Sequence, residues 1–201
     1  MNKVAKKDVY SCFRELEENE TKEVDFDIFV KKRPSSIAIL APHGGWIETR
    51  TSWIAAQIAG IRGNLYQFEG LKRGQENRLH ITAHHFDEPE CVALIEKCTT
   101  VVAIHGCKQK HGPICIGGRD EELKARLAYE LMKAKFTFKL EGHPFLGQEV
   151  KNICNRGAGL RGVQFELSKP FRRGPRIYEF IRIVRRVIFN GAKSPVTSLK
   201  K

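Results

Sequence analysis

The sequence predicts a layered α/β domain whose central sheet is covered by helices on both faces. Strand-like apolar runs alternate with helix-like segments along the chain, and most of these runs are continuously apolar, as in strands buried on both sides. The predicted strands cover residues 37–41, 65–69, 101–105, 137–140 and 162–167. Ligand sites in such sheets lie at the carboxyl ends of strands, so polar residues at these strand ends are the first candidates for a functional site.

Four helices are predicted, over residues 52–59, 89–97, 120–133 and 176–190. The first ends at Gly60, and the third opens with Asp120-Glu121-Glu122, where the helix dipole favours acids. The fourth places branched apolar residues at 177, 181, 184 and 188 on one stripe, as a helix docked on a core does.

Length and composition predict one soluble domain over residues 1–201, with fraying at 1–6 and 192–201. A chain of 201 residues buries roughly 70% of its unfolded surface. No apolar run approaches the ~18 residues of a membrane span, and no apolar segment follows the basic N-terminus as in a signal peptide. We therefore expect a cytoplasmic protein with no membrane partner. Host lysis would be its route of release. The oligomeric state is not predicted.

Six cysteines occur without a C-x-x-C pair, so neither a disulfide framework nor a four-thiolate zinc site is indicated. Cys107 is a candidate for chemistry, because a thiolate two residues after His105 would be placed to bind a metal or act as a nucleophile.

The basic charge is concentrated in the C-terminal helix and tail, residues 170–201. From residue 169 onward the chain has ten Lys and Arg and a single acid, Glu179, whereas the whole chain carries +12. Such a skew attracts polyanions without choosing among them, and a merely solvated basic face explains it equally well. A nucleic-acid-binding module is the non-enzymatic alternative, but no helix-turn-helix or aromatic-interleaved basic strand pair supports it.

Two predicted strands end in a histidine followed by glycine. His43 follows the run at 37–41, His105 ends the run at 101–105, and Glu48 comes shortly after His43. Two imidazoles and one carboxylate form a ligand set that catalytic zinc sites use, with the fourth position left for water. Each histidine alone is explained by a core position, but together with Glu48 they predict a zinc-dependent hydrolase.

Amide hydrolysis also needs a proton carrier, and Glu166 in the predicted strand 162–167 is a candidate general base. The competing interpretation is an ordinary edge-strand glutamate that faces water.

Several loop residues are candidates for substrate contacts. One interpretation is that an oxyanion is stabilised by His80, His84 and His85, or that these residues and Asp87 orient the metal ligands through hydrogen bonds. The alternative is a surface loop that is rich in histidine. Arg119, Arg156 and Arg161 would grip a substrate carboxylate, unless they are surface salt-bridge partners.

The chain resembles the phage-type poly-γ-glutamate hydrolase family from about residue 10 to 169. The resemblance is carried by Ala41-Pro42-His43-Gly44-Gly45, Ile47-Glu48, Thr51-Ser52, Ile58-Ala59-Gly60, Leu65-Tyr66-Gln67-Phe68-Glu69-Gly70, His84-His85-Phe86-Asp87-Glu88-Pro89, His105-Gly106 and Gly117-Gly118. It implies a three-layer αβα fold with a mixed central sheet, similar to the zinc carboxypeptidase core. It also implies that His43, Glu48 and His105 hold Zn²⁺ and that Glu166 is the catalytic carboxylate.

The implied reaction is cleavage of γ-glutamyl amide bonds in an anionic polymer, poly-γ-glutamate. A runner-up within the same chemistry is an N-acyl amino acid amidohydrolase acting on a small acidic amide, similar to N-formylglutamate amidohydrolases. The sequence departs from the family pattern at Trp46, where a glycine is expected, and at Trp53, where an acid is expected. Both changes stand beside the predicted metal ligands, so they bear on the substrate.

Overall fold

The computed structural model describes residues 8–74 and 77–190. The fraying predicted for residues 1–6 and 192–201, and the tail after residue 190, lie outside the described residues. The strands are β1 (Phe26–Lys31), β2 (Ile37–Gly45), β3 (Asn64–Gly70), β4 (Thr100–Cys107), β5 (Ile114–Gly117) and β6 (Val163–Ser168). The helices are α1 (Phe13–Asn19), α2 (Thr51–Ala59), α3 (Pro89–Ile95), α4 (Glu121–Lys133), α5 (Lys169–Arg173) and α6 (Ile177–Phe189), with 3-10 turns at Gln109–His111 and Ile153–Asn155.

The six strands form one mixed sheet in the order β1-β3-β2-β4-β6-β5. The four inner strands are parallel, whereas β1 and β5 pair antiparallel at the two edges. Crossover connections between parallel strands need long segments, and helices supply most of them here. The predicted three-layer α/β fold with a mixed sheet is confirmed.

Hydrophobic clusters cover both faces of the sheet. On one face, here called the α6 face, side chains such as Ile39 and Phe165 pack against α2, α4 and α6. On the other, the α3 face, side chains such as Leu40 and Ala103 pack against α1 and α3. The two faces take alternate residues of the same strands, which explains why the inner strands read as unbroken apolar runs.

The four predicted helices are present with bounds that differ by one or two residues: α2 begins one residue earlier, α3 ends two residues earlier, and α4 and α6 begin one residue later because the first predicted residue is the N-cap. Asp120, for example, is the N-cap of α4 and accepts a hydrogen bond from the Leu123 N–H at 3.0 Å. Within residues 8–74 and 77–190, no helix has both the length and the apolar character needed to cross a bilayer.

The strand predicted over residues 137–140 is wrong. This segment touches the edge strand β5 through one bridge, between Lys139 and Cys115, and then turns away. Its alternating pattern resembles a strand, but Lys135 just before it has a positive φ of 57° and Gly142 just after it one of 68°, so the chain bends on both sides. The short elements β1, β5, α1 and α5 were not predicted from the sequence.

Candidate metal centre

A β-bulge near the end of β2 turns His43 toward the α3 face. Between Ala41 and Gly44 the register advances three residues on β2 but only two on β3. Strict alternation would leave His43 on the α6 face with Ile39 and Ala41. Its ring instead lies 4.8 Å from that of His105 and 6.3 Å from that of Phe86, which belongs to the α3 face. The extra residue therefore re-aims the imidazole.

The glycines after His43 let three backbone segments meet. Gly45 has a φ of +62°, and a Cβ there would overlap the Gly70 carbonyl. A Cβ on Gly44 would overlap the Ser52 hydroxyl at the start of α2. Close approach of this kind requires residues without side chains, so β2 can end against β3 and turn directly into α2.

Glu48 returns to the strand ends from this turn. Its N–H donates to the His43 carbonyl at 2.9 Å, and its carbonyl accepts from the Thr51 hydroxyl at 2.8 Å. Its carboxylate Oε2 accepts a hydrogen bond of 2.7 Å from the Gly106 N–H on β4. Pairing between β2 and β4 stops at Leu40 and Ala103, so the Glu48 side chain takes up a backbone donor beyond that point.

Three potential ligand groups converge at the carboxyl ends of β2 and β4. His43 Nδ1 lies 3.1 Å from His105 Nδ1 and 3.3 Å from Glu48 Oε1, and His105 Nδ1 lies 3.8 Å from Glu48 Oε2. Within the described ranges, His43, Glu48 and His105 are a group of side chains whose ligand atoms all fall within 4.8 Å of one another. The structure therefore brings together the three side chains that the sequence predicts to converge.

The donor set fits a zinc ion. With zinc–ligand distances of about 2.0–2.1 Å, neighbouring ligands of a tetrahedron lie about 3.3 Å apart, close to the spacings seen here. His43 Nε2 lies 2.8 Å from the Ile81 carbonyl, so Nε2 carries the proton and Nδ1 presents a lone pair toward the cluster. His105 is almost fully buried and its Nε2 has no hydrogen-bond partner. A cation bound here would provide a partner for both facing imidazole nitrogens and for the carboxylate.

The charges of the three groups depend on one another. Burial penalises charged Glu48, but His43 and His105 outweigh this effect and lower the pKa of its carboxyl to about 2. Burial also opposes protonation of His43, yet Glu48 and the Ile81 carbonyl raise its pKa. Burial and the neighbouring His43 lower the pKa of His105 to about 3. His105 is therefore a neutral imidazole at physiological pH, the form that binds metals.

Glu166 lies beside the triad on the interior strand β6. It is in register with His105 on β4, and both residues alternate with neighbours on the α6 face, so both point to the α3 face. Every residue of β6 is buried and Glu166 is 8% exposed, which excludes the edge-strand interpretation. Burial and the charge of Glu48 raise the pKa of Glu166 well above its usual value, against the opposing effect of Arg172.

Arg172 was not singled out by the sequence reasoning. It is 4% exposed, and its Nε and Nη1 have no hydrogen-bond partner. Its guanidinium occupies the space where a side chain of residue 106 would lie, which explains why position 106 is a glycine. A basic residue in a short helix after a strand carries no sequence signal for this placement.

Cys107 does not join the ligand cluster among the residues the structure describes. Burial, together with the nearby Glu166, raises the pKa of its thiol to about 12. A protonated thiol is a poor ligand and a poor nucleophile, so the alternative role considered for Cys107 is not supported.

The ring of His80, in the histidine-rich segment, contacts the triad. Its ring centre lies 4.1 Å from that of His43, and its Nδ1 lies 2.7 Å from Asp8 Oδ1. The other oxygen of Asp8 accepts from the Thr82 N–H at 2.6 Å. The acid that supports this segment is thus Asp8 and not Asp87, whose carboxylate accepts from the Phe13 N–H at the start of α1.

The other candidates for substrate contacts are not brought to the triad. His84 contacts the ring of His85 in the loop before α3. Arg119 donates its backbone N–H to Asn155, Arg161 pairs with Asp120 at 3.8 Å, and Arg156 donates to the Phe86 carbonyl. Arg119 and Arg161 lie near the amino end of β6, whereas the triad lies at the carboxyl ends of β2 and β4, and Arg156 reaches the backbone of Phe86, whose ring lies 6.3 Å from that of His43. Their role in binding substrate stays a prediction without support from this geometry.

The basic residues of α6 are largely engaged in contacts within the chain. Arg185 donates to the Gln57 carbonyl at the end of α2, and Arg186 pairs with Glu130 at 2.5 Å. Arg176 donates to the Ala134 and Lys135 carbonyls. These contacts account for three basic residues at or beside α6, whereas Arg182 on the same helix is exposed.

Comparison with known proteins agrees with the fold. The family described as "Poly-gamma-glutamate hydrolase" matches residues 10–180. Among curated relatives, the UPF0714 protein YndL of Bacillus subtilis (strain 168) is 33% identical over 91% of this chain and 79% of its own length. The SPbeta prophage-derived UPF0714 protein YoqZ of the same organism is 35% identical over 86% of this chain, which spans 63% of that relative.

Two solved structures match closely. The bacteriophage poly-γ-glutamate hydrolase superposes with a TM-score of 0.85 at 29% identity, covering 90% of this chain and 96% of that one. A zinc-free apo form of YndL superposes with a TM-score of 0.85 at 33% identity, covering 92% of this chain and 98% of that one. The resemblance predicted from the sequence is confirmed, and with it the prediction of an enzyme: the chain belongs to the poly-γ-glutamate hydrolase family.

Proposed function

We propose that this chain is a zinc-dependent hydrolase that cleaves γ-glutamyl amide bonds of poly-γ-glutamate. The observation that carries the proposal is the convergence of His43, Glu48 and His105 at the carboxyl edge of the sheet, within 4.8 Å of one another. A zinc-free form is described for YndL, which is 33% identical over most of the chain, and this supports zinc as the metal. The family supports the substrate.

The three side chains would hold zinc through two imidazole nitrogens and one carboxylate. Bound in such a set, zinc acidifies a water molecule and polarises a substrate carbonyl. The chain contributes orientation: the Ile81 carbonyl fixes the tautomer of His43, and the Gly106 N–H fixes the carboxylate of Glu48. Groups held in this way need no reorganisation when substrate arrives.

Glu166 would carry the proton. Its carboxylate accepts a proton from the attacking water and passes it to the leaving amide nitrogen, which a single well-placed acid can do in turn. Its position next to His105 on the adjoining strand and its burial on the same face support this role. Arg172 opposes the rise in its pKa, and a cation at the triad would oppose it further by offsetting the charge of Glu48.

The test combines metal analysis with an assay of polymer length. We expect one zinc per chain in the wild-type protein, and a shift of poly-γ-glutamate to shorter chains in size-exclusion chromatography that stops on chelation and returns with zinc. His43→Ala should lose both, whereas His84→Ala, whose side chain is outside the ligand cluster, should keep the zinc. Undiminished zinc in His43→Ala, or faster turnover of N-acylglutamates than of the polymer, would contradict the proposal.

A further inference from the structure

Both tryptophans of the chain stand beside the turn that carries Glu48. Trp46 lies two residues before Glu48, and Trp53 lies in the first turn of α2. Each has a guanidinium over its ring: the Arg73 guanidinium carbon lies 5.2 Å from the ring centre of Trp46, and that of Arg50 lies 4.6 Å from the ring centre of Trp53. We call Trp46, Arg50, Trp53 and Arg73 the rim.

The backbone of Trp46 and the ring of Trp53 are each held by a contact within the chain. Trp46 donates its backbone N–H to the Gly70 carbonyl at 2.8 Å, while 40% of the residue stays exposed. Trp53 packs against the core of the α6 face, and its ring meets that of Tyr178 edge to face at 5.6 Å. The packed ring of Trp53 holds the Arg50 guanidinium in a defined place, which lowers the entropy lost when this group binds an anion.

Arg50 has a backbone conformation that is unfavourable for a residue with a side chain. Its φ is +74°, in the left-handed region that favours glycine, yet it is the residue just before α2. Such conformations cost free energy and persist where the surrounding structure imposes them. Here the turn that brings Glu48 to the triad imposes this conformation, and Arg50 lies over Trp53, which is three residues away.

The rim guanidinium groups are not neutralised within the described part of the chain. In residues 8–74 and 77–190 no acid pairs with Arg50 or Arg73, in contrast to Arg186 with Glu130 and Arg176 with Glu179. A guanidinium that stacks on a ring through its face still presents N–H groups at its edge, in the fork that matches a carboxylate.

We propose that the rim binds successive carboxylates of a γ-linked glutamate polymer and guides the chain to the metal centre. The inference rests on the proposed function and adds the surface that selects a polymer. Each γ-glutamyl unit carries one carboxylate and two methylene groups, which suit a guanidinium and an exposed indole. A small N-acyl amino acid carries too few carboxylates to engage both arginines, so the rim favours extended substrates.

Binding to the metal-free protein tests the rim without catalysis. The intrinsic fluorescence of Trp46 and Trp53 would be followed during titration with poly-γ-glutamate at low salt. We expect Arg50→Gln/Arg73→Gln to raise the Kd about tenfold or more, as two lost ion contacts of about fivefold each would do. The control is Arg14→Gln/Arg62→Gln, which removes the same charge from arginines outside the rim, Arg62 being stacked on Phe189, and should change the Kd less than twofold.

Arg50→Gly serves as a second variant, because glycine accepts the positive φ and this variant should fold at least as well as the wild type. It should still weaken binding, so loss of binding cannot be ascribed to loss of folding. Unchanged binding in both rim variants would overturn the proposal, as would binding of a single-stranded DNA oligomer as tight as that of the polymer.

Kinetics of the zinc-loaded protein separate this inference from the proposed function. The rim variants should raise KM for long polymer several-fold more than KM for a short γ-glutamyl oligomer, with the larger change in KM and not in kcat. If the wild type neither binds nor shortens the polymer, the proposed function fails. If the wild type shortens it and the rim variants have wild-type KM values, the rim proposal alone fails.

Discussion

The Nδ1 atoms of His43 and His105 lie 3.1 Å apart although 62 residues separate them in the chain. His43 donates a hydrogen bond through Nε2–H to the Ile81 carbonyl, which turns its Nδ1 toward His105, and His105 is neutral because burial and His43 lower its pKa. Two imidazoles in this arrangement share at most one proton, whereas a cation engages both lone pairs and the carboxylate of Glu48. The carboxyl ends of β2 and β4 therefore form a site that is suited to a bound cation.

The first prediction follows from that arrangement. His105→Ala should lower zinc affinity by more than about 100-fold, since even the loss of a residue that only supports a ligand costs 10–100-fold. Competition with a chromophoric chelator measures the affinity directly. His85→Ala, an exposed histidine in the loop before α3, is the matched control and should leave the affinity unchanged.

The second prediction concerns pH and the metal-free protein. The pKa of Glu48 falls from 4.5 to about 2 on folding, so its ionised form stabilises the fold above pH 4.5, and this contribution is lost as pH falls toward 2. Glu48→Gln should therefore lower the free energy of unfolding at pH 6 by on the order of 2 kcal/mol, with the difference vanishing near pH 2.

Urea unfolding of both proteins across this pH range provides the measurement. Gln keeps an oxygen for the Gly106 N–H, so the comparison isolates the charge. A difference between the two proteins that is constant from pH 6 to pH 2 would show that the carboxylate charge does not contribute.

The parts of the site that depend on strand ends were predictable from sequence. His43 and His105 end or follow apolar runs, and the carboxyl ends of adjacent parallel strands meet at one edge, so their proximity follows from the pattern. The bulge that turns His43 to the face of His105 is not visible in the pattern, because simple alternation assigns His43 to the other face.

The supporting residues were not predictable in the same way. Asp8 reaches His80 across 72 positions, and Arg172 reaches Gly106 from the short helix α5, and neither carries a local motif. Arg119, Arg156 and Arg161 were chosen because they lie in loops, but loops occur at both ends of the strands and only one end has the triad. Sequence spacing fixes which residues end strands, and it does not fix which loop packs against which end.

The third prediction addresses the proton carrier. Glu166→Gln should keep zinc, because its side chain is not part of the ligand cluster, and should lose turnover by about 10²–10⁴-fold. Metal content and the rate of polymer shortening would be measured on the same preparation. Gln164→Asn, on the same strand and face, is the control for disturbance of β6. Near-normal rates in Glu166→Gln would assign the proton transfer to another group.

The fourth prediction concerns the support of His43. Asp8 holds both His80 and the Thr82 N–H, and the Ile81 carbonyl that orients His43 lies between them. Asp8→Ala should loosen this segment and lower zinc affinity about tenfold, with the ligands themselves intact. Asp27→Ala removes an acid that bonds only to the N–H of the next residue and should have no effect on zinc. Equal affinities in the two variants would show that the segment is held by other contacts.

The fifth prediction concerns Gly106 and Arg172. A methyl group at position 106 would overlap the Arg172 guanidinium, so Gly106→Ala should destabilise the protein by about 1–3 kcal/mol. Arg172→Met loses no hydrogen bond from Nε or Nη1, so its own cost comes from removing the positive charge beside Glu48 and Glu166. The double variant should regain most of the loss, since the shorter, uncharged side chain leaves room for the methyl group. Thermal unfolding of the four proteins forms the cycle, and additive effects would mean that the two residues do not compete for the same space.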